Sequence, residues 1–234
     1  MVRILKFILA PVLMFQGKQV KKNTPRLPEA RGDRKGIQGN GEKQIRLLIL
    51  GDSAAAGVGI DHQSAALSGQ ILACFGQAYR IEWELIAKTG TTTAMTLAYL
   101  KTIPPTVFDV VVTSLGVNDV KNGVAKNQWM TQQKNLIFLL REKFKIQRIL
   151  ISAVPPMEVF PAFPWPLKWY LGFYAKHLNT AIRDWLKEQK DCEFLAFNLP
   201  LDTALMAEDK FHPGPLLHTI WGKEISRRIK LYFD

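Results

Sequence analysis

The sequence predicts an α/β domain: a parallel sheet of five strands with helices on both of its faces. Two observations carry this expectation. From Gln44 onward, short runs of aliphatic and β-branched residues alternate with longer stretches of helical periodicity. Those runs are also apolar nearly throughout, without the polar alternation of a half-exposed strand, as burial on both faces requires. A length of 234 residues suits one such domain and is short for two.

At the N-terminus, Ile4 to Phe15 (ILKFILAPVLMF) is apolar except for Lys6. At about 12 residues it falls short of the ~20 that a bilayer span needs. No A-x-A-like cleavage site comes after it, and Lys18, Lys21, Lys22 and Arg26 lie directly downstream, where positive charge opposes export of the rest of the chain. An apolar run beside basic residues suits an interfacial anchor on anionic lipid. Residues 1–17 are therefore expected to form a membrane-interacting segment, with residues 1–22 supplying the contact at the cytoplasmic face. Export and a soluble cytoplasmic location are the alternatives. Residues 18–44, with Pro25, Pro28 and scattered glycines and charges, read as a linker to a domain at 45–234.

Within the body, Ile45–Leu50 reads as a first strand ending at Gly51, followed by helical pattern over Ser64–Phe75. Ile81–Ala87 is a second strand, and Thr92–Leu100 a short helix. Phe108–Leu115 (FDVVVTSL) is a third strand ending at Gly116, and Gln128–Phe144 a helix. Arg148–Val154 is a fourth strand, stopped by Pro155-Pro156. Leu167–Gln189 reads as a long helix, Phe194–Phe197 as a fifth strand and Pro215–Tyr232 as a closing helix.

The net charge of +11 invites a nucleic-acid reading until it is located. Residues 1–44 hold ten Lys/Arg against three Asp/Glu, whereas the remaining residues hold 21 against 17. The body is nearly balanced and carries no basic stripe interleaved with aromatics, so no nucleic-acid partner is expected. Cys74 and Cys192 are the two cysteines, too few for a disulfide framework, and no Cys/His spacing suits a metal. No metal or other cofactor is expected.

In open parallel sheets, sites form beyond the carboxyl ends of the strands. Ser53, Gly90 and Asn118 each fall just after a predicted strand. A serine hydroxyl becomes a nucleophile when a base takes its proton. Of His62, His177, His212 and His218, only His212 has a carboxylate three residues before it, Asp209, in a late loop where it can fold back onto the imidazole. Asp202 is the reserve carboxylate. His62 and His177 read as surface or helix residues, and His218 as structural. Negative charge developing on a carbonyl oxygen needs donors placed in advance, for which the Ser53 and Gly90 backbone N–H groups and the Asn118 amide are the natural set. Gly57-x-Gly59 lacks the spacing of a dinucleotide or phosphate fingerprint.

Gly51-Asp52-Ser53, the isolated Gly90, Gly116-Val117-Asn118-Asp119 and Asp209-Lys210-Phe211-His212 together resemble, in order, blocks I, II, III and V of the SGNH (GDSL) hydrolase superfamily. The likeness runs from about 45 to 230. It departs at Ala54, where the family has leucine, and block II rests on one glycine. The resemblance implies a three-layer α/β/α, flavodoxin-like fold and ester hydrolysis without metal. It assigns Ser53 as nucleophile, His212 as base and Asp209 as its orienter, with Ser53, Gly90 and Asn118 as oxyanion donors.

Residues 155–166 hold five of the 13 prolines together with Phe160, Phe163 and Trp165. Such a stretch is too apolar for an ordinary solvated loop and too rich in proline for a helix. It is expected to line or cover an acyl pocket, with Phe160, Phe163 and Trp165 as substrate contacts. The sequence thus points to a serine hydrolase of short- to medium-chain carboxylic esters, with lysophospholipid within its range. A thioesterase and a carbohydrate O-deacetylase are the enzymatic rivals, and an inactive membrane-attached binding protein is the rival of another class.

Overall fold

The computed structural model describes residues 2–196 and 205–234, with side chains from residue 9 onward. Six strands form one sheet: β1 (Lys35–Gln38), β2 (Lys43–Gly51), β3 (Tyr79–Ala87), β4 (Val110–Ser114), β5 (Arg148–Ser152) and β6 (Cys192–Leu195). Their order is β1-β3-β2-β4-β5-β6. Strands β2 to β6 pair in parallel, and β1 pairs antiparallel with β3. The sheet therefore has six strands where the sequence predicts five. The extra strand, Lys-Gly-Ile-Gln, is exposed at every position, because an edge strand can bind its neighbour by backbone alone and needs no apolar face. Without β1, the order is the doubly wound one whose strand order reverses between β2 and β4.

The helices are α1 (Val2–Asn23), α2 (Ser53–Ala56), α3 (Leu67–Leu72), α4 (Thr93–Thr102), α5 (Val117–Lys121), α6 (Lys126–Phe144), α7 (Leu167–Leu186) and α8 (Pro215–Phe233). They cover both faces of the sheet, which is why the successive residues Leu47 to Gly51 of β2 are all buried. Leu47 and Ile49 face α3 and α8, packing with Leu67, Ile71, Ile225 and Ile229. Leu48 and Leu50 point the other way, toward Leu136, Leu140, Leu178 and Ile182 of α6 and α7. Each such side chain contributes roughly 1.5–3 kcal/mol on leaving water.

The N-terminal stretch is packed onto this body. Leu13 of α1 is buried in the α6–α7 side of the core. Gln16 donates to the Trp165 carbonyl at 2.9 Å and accepts from the Leu167 N–H at 3.2 Å. The helix runs past residue 17 to Asn23, and the stretch read as a linker carries β1 together with backbone bonds from Ala30 N–H to Ala56 and from Gly59 N–H to Pro28. Among the described residues, no helix is long and apolar enough to cross a membrane.

Candidate active site

Strand β2 delivers Asp52 and Ser53 to the carboxyl edge of the sheet, and β4 delivers Asn118 beside them, across the point where the strand order reverses. Asp52 starts α2: its Oδ1 accepts the Ala54 N–H at 3.0 Å. Gly116 turns the chain into α5 with φ of 127°, in the region that favours glycine, and a Cβ there would run into Val154. That close approach lets Asn118 reach back over β2.

The late loop brings its histidine to the same place. Asp209 Oδ1 accepts the N–H groups of Phe211 and His212 at 3.0 and 2.9 Å, curling the turn, and Lys210 takes a left-handed φ of 58° to allow it. The His212 Nδ1–H can then donate to Asp209 Oδ2 at 2.5 Å, leaving Nε2 to accept from the Ser53 hydroxyl at 2.9 Å. Burial alone would raise the Asp209 pKa, but the His212 ring and the two N–H donors outweigh it and hold the carboxyl below its usual range. Asp209 therefore faces the ring as a carboxylate. The reserve carboxylate Asp202 lies outside the described residues, as does the Phe197 end of the fifth predicted strand.

Around Ser53, the candidate donors are held differently. Among the described residues, the Ser53 and Gly90 N–H groups have no hydrogen-bond partner in the protein. Gly90 itself has φ of 82°. The Asn118 amide is engaged: it donates to the Thr91 carbonyl at 3.0 Å and to Asp52 Oδ2 at 3.3 Å. These two bonds tie the β2, β3 and β4 loops together. Burial pushes the Asp52 pKa up to about 6, against the Ala54 N–H and the charges of His212 and Lys121, which favour ionisation. Asp119 points inward, accepting from the Thr93 N–H and hydroxyl at the start of α4, and burial raises its pKa.

Sequence reasoning missed the groups that hold the Gly90 loop. Glu29 accepts from the Thr89 N–H at 2.7 Å and the Thr89 hydroxyl at 2.6 Å, and Arg34 binds both Glu29 and the Ala87 carbonyl. The partners lie about 60 residues apart in the chain, and nothing in the local pattern signals the pairing. Lys121 was also missed. Its ammonium lies 4.9 Å from the centre of the Phe211 ring, which in turn meets the His212 ring edge-on at 4.7 Å.

A cavity of about 50 Å³ opens beside Ala54, with Val117, Phe160, Met206, Phe211 and Leu217 among its walls. Of the three aromatics expected at the substrate, Phe160 lines it. Phe163 is buried behind, stacked on Phe160 at 5.9 Å and edge-on to Phe211 at 5.5 Å. Trp165 is not in the wall: it is 72% exposed, and its backbone carbonyl accepts from Gln16. His62 bonds locally to Ser64, and His177 stacks on Phe173 along α7. His218 is fully buried in α8. Among the described residues no group of His, Cys, Asp and Glu could hold a metal ion.

The family model described as GDSL-like lipase/acylhydrolase matches residues 49–220. No curated protein matches the chain. Among solved structures, it resembles the psychrotrophic esterase EstA from Pseudoalteromonas sp. at 19% identity, over 80% of this chain and 97% of that one, with a TM-score of 0.61. The acetylxylan esterase Axe2 from Geobacillus stearothermophilus matches at 18% identity, over 82% and 95%, with a TM-score of 0.58. A member of the lipolytic G-D-S-L family from Veillonella parvula matches at 13% identity, over 78% and 98%, with a TM-score of 0.62. At these identities the likeness is one of fold.

Proposed function

Since the chain belongs to the GDSL-like lipase/acylhydrolase family, we propose that it is a serine hydrolase that cleaves carboxylic esters through an acyl-enzyme on Ser53. The observation that carries this reading is the relay from Ser53 Oγ to His212 Nε2 at 2.9 Å and from His212 Nδ1 to Asp209 at 2.5 Å. In this reading Ser53 Oγ attacks the carbonyl carbon while His212 Nε2 takes its proton, and the Asp209 carboxylate stabilises the imidazolium. The Ser53 and Gly90 N–H groups, unpaired among the described residues, receive the oxyanion, joined by Asn118 when its amide turns from Asp52. The imidazolium then protonates the departing alcohol. A water, deprotonated by His212, releases the acid and restores Ser53.

The small apolar cavity beside Ala54 supports short acyl groups. With p-nitrophenyl esters, we expect kcat/KM to peak at acetate to butyrate, and Ser53→Ala to lower turnover by about 10⁴-fold or more. Undiminished turnover in Ser53→Ala would refute the mechanism. A kcat/KM that climbs steadily to long acyl chains would refute the short-acyl preference. One second reading has specific support: an acetyl group fits the same cavity, so the alcohol side of the ester could be a carbohydrate, as the name of Axe2 records for that protein. Acetate release from acetylated xylan separates the two.

A further inference from the structure

Helix α1 presents two contrasting faces. Its inner face docks through Leu13, Gln16 and Val20. Its outer face is apolar around the middle of the helix, with Val12, Met14 and Phe15 at 45–62% exposure. The second half is basic: Lys18, Lys21 and Lys22 are exposed, α1 has no acidic residue, and none of these lysines is ion-paired among the described residues. The Gln16 bonds place this helix against the start of α7. The exposed side of α7 is also apolar, with Trp169 and Phe173 about 40% exposed and stacked on each other at 6.1 Å. Trp165, whose backbone carbonyl accepts from Gln16 just before α7 begins, is 72% exposed. Large apolar groups gathered in one region of a surface mark a contact site.

The charge distribution selects the occupant. A second copy of the chain packed face to face would set lysines against lysines. An anionic lipid surface instead meets the basic half with opposite charge, while the aromatic and aliphatic half enters the headgroup boundary. One segment joins this face to the candidate active site: Phe160 lines the cavity, and Trp165, further along the same segment, is held by Gln16 of α1. Lys121 caps the Phe211 ring beside His212. Although Lys121 as a residue is exposed, crowding desolvates its ammonium and lowers its pKa. The Asp52 charge opposes that lowering, and the Lys21 charge adds to it.

We infer that the outer faces of α1 and α7 form a single docking surface for an anionic bilayer, on which the helices lie without crossing and which sets the mouth of the site at the lipid boundary. The N-terminal helix is thus one half of the contact, and the domain body supplies the other.

Cosedimentation of the full chain with vesicles tests this without reference to turnover, so it is independent of the proposed activity. The probes are phosphatidylcholine alone and phosphatidylcholine mixed with phosphatidylglycerol. Binding to the mixed vesicles is expected to exceed binding to the neutral ones, and to weaken about fivefold for each lysine lost in Lys18→Gln and Lys22→Gln. Trp169→Ala with Phe173→Ala is expected to weaken binding about tenfold. Unchanged circular dichroism shows that each variant is folded. Equal binding to both vesicles, or an α7 double variant that binds like the parent, would overturn the proposal. So would association of the chain into dimers through this face in place of lipid binding.

Discussion

The Asn118 amide donates inside the protein, to the Thr91 carbonyl at 3.0 Å and to Asp52 at a longer 3.3 Å. For Asn118 to meet an oxyanion, the longer bond is the one to give way, since a weak bond is the cheaper to exchange. Asn118→Ala is then expected to lower kcat by about 10²–10³ with a smaller change in KM, measured on a soluble p-nitrophenyl ester. A KM effect alone would mean that Asn118 only braces the loops. At this scale the sequence singles out Ser53, Asp209 and His212, and they are the three side chains that the fold brings within hydrogen-bonding distance. Residue type made them legible, because a hydroxyl, an imidazole and a carboxylate form a short list of partners. Glu29 and Arg34 were not legible, because an ordinary surface ion pair looks the same in sequence.

Helix α8 shows how an element can hide a titrating group. Its inward side carries Leu217, Trp221, Ile225 and Ile229, with His218 and Ser226 buried among them. Both ring nitrogens of His218 are buried without a hydrogen-bond partner among the described residues. Burial, with a smaller contribution from the His212 charge, pushes its pKa down to about 4. The folded state therefore holds His218 neutral while the unfolded chain protonates it near 6.5. The unfolded state binds the extra proton, so this group costs stability as pH falls from about 6.5 toward 4, by up to about 3 kcal/mol. His218→Leu should match the parent in urea unfolding near neutrality and exceed it increasingly below pH 6. Parallel stability curves across that range would contradict this. The raised Asp52 pKa acts in the opposite sense between its usual value and about 6, which is why the comparison is made between variant and parent. Among elements, the long apolar strands and α6, α7 and α8 were legible from period and composition. The four- and five-residue α2 and α5 and the polar strand β1 were not, because tertiary contacts and backbone pairing define them.

For the whole molecule, the parallel α/β architecture stems from strands buried on both faces. Its consequence for function is the reversal of strand order between β2 and β4, which puts Ser53 and Asn118 side by side. The N-terminal 44 residues were the least legible part. Their composition suggests a tether, yet they dock Leu13 in the core, add β1 to the sheet edge and pin the loop before Gly90. Each of those roles depends on a distant partner.

The most direct test of the nucleophile is labelling with a fluorophosphonate, read by intact-protein mass and peptide mapping. A serine activated by its histidine should displace fluoride and gain one stable adduct on Ser53. Ser53→Ala should gain none, and Asp209→Asn should react far more slowly. An adduct that persists in Ser53→Ala, or a folded parent protein that stays unlabelled, would contradict the assignment.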